Sequence, residues 1–205
     1  MAELAGKPIL EHIIERLSRA DSVGRIVVAA ANDGHDAPVL DLCRRLGINA
    51  LSGSTSDVLA RFGEAVRIYG QGFKYVFRAM ADQPFLDWYA LDESTALLED
   101  RGWDLALPWA FDRDPVYGAG LCPWRTKAFW RMFEASKGDE REHPGLWFRR
   151  HLDGLNYGLR DLPHWAYRPY RLELDTAADL MMFRAVWKLW DRPQQISLIR
   201  AITAI

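Results

Sequence analysis

Apolar positions along the chain follow two alternating periods, which predict helices and strands in turn. Ile9, Ile13 and Leu17 recur at four-residue spacing, which is typical of an amphipathic helix over 8–19. The run Arg25–Ala30 is apolar, β-branched and bounded by turn residues, as expected of a buried strand. The same patterns predict further helices over 36–46, 58–69, 87–99, 125–136, 145–152, 177–190 and 194–205, and strands over 48–51, 75–80, 104–109 and 171–174.

Short strands that alternate with helices of this length indicate βαβ crossovers. We therefore expect an α/β fold, with a mostly parallel sheet covered by helices on both faces. No linker separates the elements, so a single domain over 1–205 is predicted. Within it, residues 112–170 form a less regular lobe, with a loop or hairpin at Asp112–Pro123 and a charged turn at Lys137–Glu142.

Charge and composition exclude several classes of function. The chain has 205 residues, with 26 Lys+Arg against 28 Asp+Glu and a net charge of −2, which disfavours a nucleic-acid partner. No apolar run approaches the ~18 residues of a membrane span, so no membrane partner is expected. Cys43 and Cys122 lie far apart without metal-ligand spacing, which favours a reducing compartment and a cytoplasmic protein.

Two carboxylates follow predicted strands directly, where ligands bind in open α/β sheets. Asp82 comes after the strand ending at Met80, although a turn or helix-start aspartate is the ordinary alternative. Asp175 follows the strand 171–174, and Thr176 with Asp179 already matches a capping box, which frees Asp175 for another role. Two carboxylates of this kind suit Mg²⁺, which takes one or two carboxylates together with phosphate oxygens and water.

Several segments together resemble the sugar cytidylyltransferases, in particular the spore-coat polysaccharide biosynthesis type related to CMP-sialate and CMP-3-deoxy-manno-octulosonate synthetases. The resemblance covers nearly the whole chain and rests on the order of its segments. These are Gly6-Lys7-Pro8 with the helix that follows, Ser52-Gly53-Ser54 with Asp57–Phe62, Arg78–Pro84, Arg141-Glu142-His143 and Leu174–Leu180. The resemblance implies a Rossmann-like nucleotidyltransferase sheet, with 112–170 as a sugar-side or dimerisation lobe.

The resemblance also implies a reaction and roles for particular residues. A cytidylyl group would pass from CTP to an acidic sugar during surface polysaccharide precursor synthesis, with Mg²⁺ as cofactor and pyrophosphate as product. The metal-holding aspartates of the family fall on Asp82 and Asp175. Nucleotide binding falls on Ser54, Arg61 and Arg78, and sugar binding falls on Glu142 and His143.

The chain departs from the family pattern at three places. Ala81 replaces a glycine and Ala177 replaces a proline, and neither change removes a ligand. Family members carry a strand and a basic loop of the form Q-A-R-x-x-S-x-R-L-P-x-K ahead of the Gly-Lys-Pro helix, whereas Met1–Ala5 alone precede Gly6 here. That loop holds the triphosphate and its strand is a central one, so we expect unpaired strand edges or a strand borrowed from elsewhere.

Other interpretations stay open at this point. Arg61 could be a solvated helix residue and His143 a helix-start residue, whereas Arg78 lies in an apolar strand and requires an anionic partner. The helix Gln194–Ile205 could dock on the domain or on a second subunit, as in a homodimer. Besides cytidylyl transfer, the chain could be a non-catalytic nucleotidyltransferase-like binding protein or a glycosyltransferase that uses a nucleotide sugar.

Overall fold

Helices and short strands alternate along the computed structural model, which describes residues 1–107, 121–160 and 171–189. The helices are α1 (Ile9–Leu17), α2 (Ala37–Leu46), α3 (Val58–Tyr69), α4 (Trp88–Arg101), α5 (Thr126–Ala135), α6 (Asp139–Glu142), α7 (Gly145–Arg150) and α8 (Ala177–Trp187). The strands are β1 (Glu3–Leu4), β2 (Lys7–Pro8), β3 (Val27–Ala31), β4 (Asn49–Gly53), β5 (Tyr75–Val76), β6 (Leu105–Leu107), β7 (Trp124–Arg125) and β8 (Tyr157–Leu159). The expected α/β fold is confirmed.

Some sequence predictions fall outside the described residues. The predicted helix Gln194–Ile205 does so entirely, as does most of the loop predicted at Asp112–Pro123. Within the described ranges, no helix is both long enough and apolar enough to cross a membrane.

Helix boundaries follow local signals in the sequence. The α3 helix begins after Asp57, whose Oδ1 accepts a hydrogen bond of 2.8 Å from the backbone N–H of Ala60. The α2 helix ends at Gly47, whose φ of 68° lies in the left-handed region that favours glycine. The charged turn expected at Lys137–Glu142 instead contains the single-turn helix α6, so that prediction was incomplete.

The strands form a mixed arrangement. The β3 and β4 strands pair in parallel, with Val27 opposite Asn49 and Ala31 opposite Gly53. A four-stranded sheet has the order β5-β7-β6-β8, in which β7 runs antiparallel to both of its neighbours and β6 pairs with β8 in parallel. The β1 and β2 strands form a separate antiparallel pair. The sheet is mixed because β7, which the sequence did not predict, lies between β5 and β6.

Two predicted strands pair over less of their length than expected. Of the segment 75–80, only Tyr75 and Val76 belong to a ladder. In the segment 171–174 only Arg171 forms an isolated β-bridge, and the backbone N–H of Leu174 donates to the carbonyl of Asp82 at 2.9 Å. A strand requires a neighbour to pair with, and apolar patterning alone does not specify that neighbour.

A cavity of about 370 Å³ separates β3 from the unpaired residues Phe77–Met80. The apolar side chains of Ile13 on α1 and Phe62 on α3 contribute to its walls. In the described part of the chain, β3 pairs with β4 alone, and its residues Val27–Ala29 line this cavity. We call this interruption between the two sheets the sheet break.

Two apolar clusters hold the elements together. The first joins α1 and α8 to the turn after Asp82 through Leu17, Phe183 and Phe85. The second packs α3, α5 and α7 against β5–β7 through residues such as Leu59, Phe129 and Phe148. The first cluster therefore positions the chain that leaves Met80, and the second holds α5 and α7 against α3 and the four-stranded sheet.

A fully buried arginine on α1 fixes the turn within the first cluster. The Arg16 Nε donates to the carbonyl of Leu86 at 3.0 Å, and its guanidinium lies 4.6 Å from the centroid of the Trp88 ring. Burial lowers the pKa of Arg16 to about 10, although the nearby Asp87 opposes that shift. The side chain remains charged at neutral pH, so it contributes a charge-assisted bond inside the core.

Replacement of Arg16 by Ala should destabilise the fold strongly, because it leaves the buried Leu86 carbonyl without its donor and opens a cavity. We expect a loss of about 2–4 kcal/mol in the free energy of unfolding, measured by urea denaturation. The exposed Arg19, in the turn that follows α1, supplies the control, and Arg19→Ala should change stability by at most about 0.5 kcal/mol. Equal losses in the two variants would contradict the anchoring role of Arg16.

Candidate active site

Asp82 lies on the wall of the cavity at the sheet break, in the turn that follows Met80. The side chain is half-buried, and its Oδ1 atom is enclosed without a hydrogen-bond partner. Burial raises the pKa of the Asp82 carboxyl above its usual value and the charge of Glu173 adds to the rise, while its own backbone N–H and Arg78 oppose it. The cap of the next helix is Asp87, so Asp82 is not a helix-start residue.

The segment before α8 lies directly against this turn. The hydrogen bond from the Leu174 N–H to the Asp82 carbonyl places Asp175 one residue beyond the junction. Asp175 itself is exposed and pairs with Arg171. The predicted capping box is confirmed, because Thr176 Oγ1 accepts from the Asp179 N–H at 3.2 Å while Asp179 Oδ2 accepts from the Thr176 N–H at 2.7 Å. Asp175 therefore takes no part in capping α8 with its side chain.

The Ser52-Gly53-Ser54 segment, which ends β4 and begins the turn that follows, packs closely on α3. A Cβ atom at Gly53 would lie 2.6 Å from the Cβ of Arg61, so this approach requires a glycine. Ser54 Oγ accepts from the Asp57 N–H at 3.0 Å, and Arg61 Nη1 donates to the Ser54 carbonyl at 2.8 Å. This hydrogen bond fixes the Arg61 side chain against the turn. Arg61 also lines the cavity, so it is not simply a solvated helix residue.

Arg78 lines the same cavity. Burial lowers the pKa of its guanidinium and the positive charge of Arg61 lowers it further, whereas Asp82 opposes the shift. In the described ranges the Arg78 side chain has no hydrogen bond or salt bridge. Two cations therefore share the cavity wall with one carboxylate, and an anionic group such as a phosphate would compensate the excess positive charge.

Glu142 and His143 are exposed and do not line the cavity. The preceding residue brings their segment close to the Ser-Gly-Ser turn, because Arg141 Nε donates to Asp57 Oδ2 at 2.7 Å. The structure thus gathers Asp82, Arg61 and Arg78 around one cavity. Glu142 and His143 are not among these residues, and their role stays a prediction.

Two polar residues next to Asp82 and Asp175 were not predicted from the sequence to belong to the site. Gln83 and Glu173 are buried, and Gln83 Nε2 donates to Glu173 Oε1 at 3.0 Å. A signal was present, since Glu173 stands between two leucines in a segment predicted to be a buried strand. An acid in such a position requires a partner, which the sequence could not identify.

The residues around the cavity fit a Mg²⁺ ion that takes most of its coordinating oxygens from a bound phosphate compound and from water. Asp82 Oδ1 is an enclosed carboxylate oxygen without a hydrogen-bond donor, as a metal ligand would be before the metal binds. Among the described residues, no three His, Cys, Asp or Glu side chains are grouped so as to hold a metal. Mg²⁺ commonly takes one or two protein carboxylates, with phosphate oxygens and water completing its shell. Asp82 and Asp175 would supply the carboxylates.

Comparison with known proteins reveals a consistent set of relatives. The profile of a family described as Cytidylyltransferase matches residues 1–171. A protein of Methanocaldococcus jannaschii is 24% identical over 193 residues, which are 93% of this chain and 77% of that protein. A 3-deoxy-manno-octulosonate cytidylyltransferase of Acidovorax sp. is 33% identical over 107 residues, which are 50% of this chain and 38% of that enzyme.

Solved structures resemble the fold over nearly its whole length. A cytidylyltransferase from Leptospira borgpetersenii superposes with a TM-score of 0.88 at 19% identity, covering 99% of this chain and 84% of that one. A CMP:2-keto-3-deoxy-manno-octonic acid synthetase complexed with CTP superposes with a TM-score of 0.67 at 14% identity, covering 92% and 90% of the two chains. At these identities the two superpositions establish the fold.

The raised pKa of Asp82 implies that its carboxylate destabilises the metal-free fold. Because the folded pKa lies above the unfolded value, stability falls as the pH rises through the interval between them, and the full cost is present above it. Asp82→Asn should therefore raise the melting temperature in EDTA near pH 7, and the gain should shrink near pH 4.

The matched control is Asp175→Asn, because Asp175 is exposed and paired with Arg171. That variant should not raise the melting temperature in EDTA. A lower melting temperature for Asp82→Asn near neutral pH would refute the electrostatic account of Asp82.

Proposed function

Because the chain belongs to the cytidylyltransferase family, we propose that it transfers a cytidylyl group from CTP to an acidic sugar. The proposal rests chiefly on one arrangement: Asp82, Arg61 and Arg78 face one cavity, and the segment of Asp175 is hydrogen-bonded beside it. One carboxylate and two cations therefore line the same cavity, which supports the proposal. A site of that composition suits a nucleoside triphosphate and its metal.

The proposed reaction is an in-line displacement at the α-phosphorus of CTP. The sugar hydroxyl oxygen forms the new bond to phosphorus, the bond to the bridging oxygen of the β-phosphate breaks, pyrophosphate leaves, and the hydroxyl proton is released. Little covalent chemistry falls to the protein in such transfers, so its task is to position the reactants and neutralise their charge.

Each residue of the proposed site has a role of this kind. Asp82 and Asp175 would hold Mg²⁺, which when bound neutralises phosphate charge in the transition state. Arg61 and Arg78 would bind the phosphates, with Ser54 in the turn that fixes Arg61. Glu142 and His143 would face the sugar.

Support for an acidic sugar comes from relatives named as 3-deoxy-manno-octulosonate cytidylyltransferases. An activated sugar of this class would serve as a precursor of a surface polysaccharide. The reaction consumes CTP, a cytoplasmic nucleotide, so we propose that the protein acts in the cytoplasm.

Pyrophosphate release tests the proposal. We expect release that requires CTP, Mg²⁺ and an acidic sugar together, with 3-deoxy-manno-octulosonate and sialate as the first two sugars to try. ATP, GTP and UTP serve as comparisons for the base, and mass spectrometry should identify a CMP-sugar as product. Transfer from a preformed nucleotide sugar, with none from CTP, would instead establish a glycosyltransferase.

Replacement of either aspartate should abolish turnover while the fold persists. Asp82→Asn and Asp175→Asn should each lower turnover by about 100-fold or more, because the loss of a metal ligand removes several kcal/mol of transition-state stabilisation. Asp100→Asn, an exposed aspartate on α4, is the control and should leave turnover unchanged. Full activity in Asp82→Asn would exclude Asp82 as a metal ligand.

The sheet break favours one second candidate, a protein that binds the nucleotide without turning it over. The cavity interrupts the two sheets beside the charged residues, so phosphate positioning could be too loose for catalysis. A rise in melting temperature with CTP and Mg²⁺, without pyrophosphate release for any acidic sugar, would support this binding role. Turnover by the 205-residue chain would exclude it.

A further inference from the structure

Two hydrogen bonds connect the turn of Asp82 to the segment of Asp175. One is the backbone bond between Leu174 and Asp82. The other joins Gln83 to Glu173 through Nε2 and Oε1 at 3.0 Å, between residues 90 positions apart in the sequence. Both side chains of this second bond are buried, with 7% of Gln83 and 8% of Glu173 exposed.

The carboxylate of Glu173 is unusual because its partner is neutral. In the described part of the chain no cation lies within salt-bridge distance of Glu173, and the neighbouring Arg171 pairs with Asp175 and Asp179 instead. A buried charge without a counter-charge is costly to the fold. Stability alone would favour an apolar residue at position 173, as at its neighbours Leu172 and Leu174.

The position of Asp82 depends on this junction. Its Oδ1 atom has no hydrogen-bond donor, so no described side chain holds that end of the carboxylate in place. The backbone of residue 82 is fixed through its carbonyl by Leu174, and the next residue is fixed through its side chain by Glu173. Loss of the Gln83–Glu173 bond would leave the turn with one of these two connections.

We propose that Gln83 and Glu173 are positioning residues, whose hydrogen bond sets the Asp82 carboxylate against Asp175 for a divalent cation. The inference rests on the proposed function and concerns how the cation site is held. Neither residue needs to touch the metal. Groups that orient metal ligands in this way commonly change metal affinity by about 10- to 100-fold when they are removed.

Mn²⁺ binding in the presence of CTP, followed by electron paramagnetic resonance, tests the proposal without turnover. Gln83→Leu removes the donor at similar volume and should weaken Mn²⁺ binding by about 10- to 100-fold. Glu173→Gln keeps an acceptor oxygen for Gln83 while it removes the charge, so it should retain most of the affinity. Equal losses in these two variants would overturn the proposal, because charge rather than the hydrogen bond would then be responsible.

A second test exchanges the two residues between positions 83 and 173. It keeps the proposal testable if Gln83→Leu does not fold. Gln83→Glu alone sets two carboxylates against each other and should weaken Mn²⁺ binding. The double variant Gln83→Glu with Glu173→Gln restores one donor and one acceptor with the charge moved across the bond, and it should recover binding. Failure of the double variant to recover, with a melting temperature like the wild type, would overturn the proposal.

The outcomes separate this inference from the proposed function. If the wild-type protein binds Mn²⁺ with CTP and Gln83→Leu binds it equally well, the positioning role is wrong and the proposed function stands. If the wild-type protein binds neither CTP nor Mn²⁺, the proposed function is wrong and the inference falls with it. A merely structural bond would lower the melting temperature of Gln83→Leu without changing the Mn²⁺ affinity of the folded protein.

Discussion

The contact between the Asp82 turn and the segment before α8 is the constraint on which the proposed site depends. It joins residues about 90 positions apart, so its formation must offset the entropy of closing a long loop. The two hydrogen bonds of this contact contribute too little free energy to offset that entropy by themselves. The apolar cluster of Phe85, Leu172 and Phe183 beneath it supplies the larger contribution through burial. The geometry of the charged residues is therefore set by packing underneath them, and Arg16 extends that packing to the far end of the turn.

The charged residues above this cluster oppose folding. Asp82 and Arg78 are both partly desolvated. Burial raises the pKa of Asp82 and lowers the pKa of Arg78, so in both cases it disfavours the charged form. Glu173 adds a buried charge with a neutral partner. Arrangements of this kind are common where a protein must present charge to a ligand, because the ligand supplies the missing counter-charges. A metal with a bound triphosphate would satisfy the carboxylates and the arginines together.

Local signals allowed most of the helices to be predicted from the sequence. The predicted bounds of α3 are the observed ones, and Asp57 and Gly47 act as the caps that their residue types indicate. Strands were harder to predict, since pairing depends on distant partners. The 171–174 segment forms a bridge at Arg171 and a hydrogen bond from Leu174 to the Asp82 carbonyl instead of a continuous strand. The same limit applies to the site. Asp82 could be predicted from its place after a strand, whereas the significance of Glu173 arises only from its contact with Gln83.

The sheet break links the fold to the proposed chemistry. One wall of its cavity includes β3, which pairs with β4 alone among the described strands, and the other carries Arg78 and Asp82. An exposed apolar strand edge is unfavourable in water, because its polar groups lack partners and its side chains lose burial. A molecule that occupies the cavity would contact both sheets at once, so its binding would stabilise their relative position as well as the site. The stability of this fold and the occupancy of its charged cavity should therefore rise together.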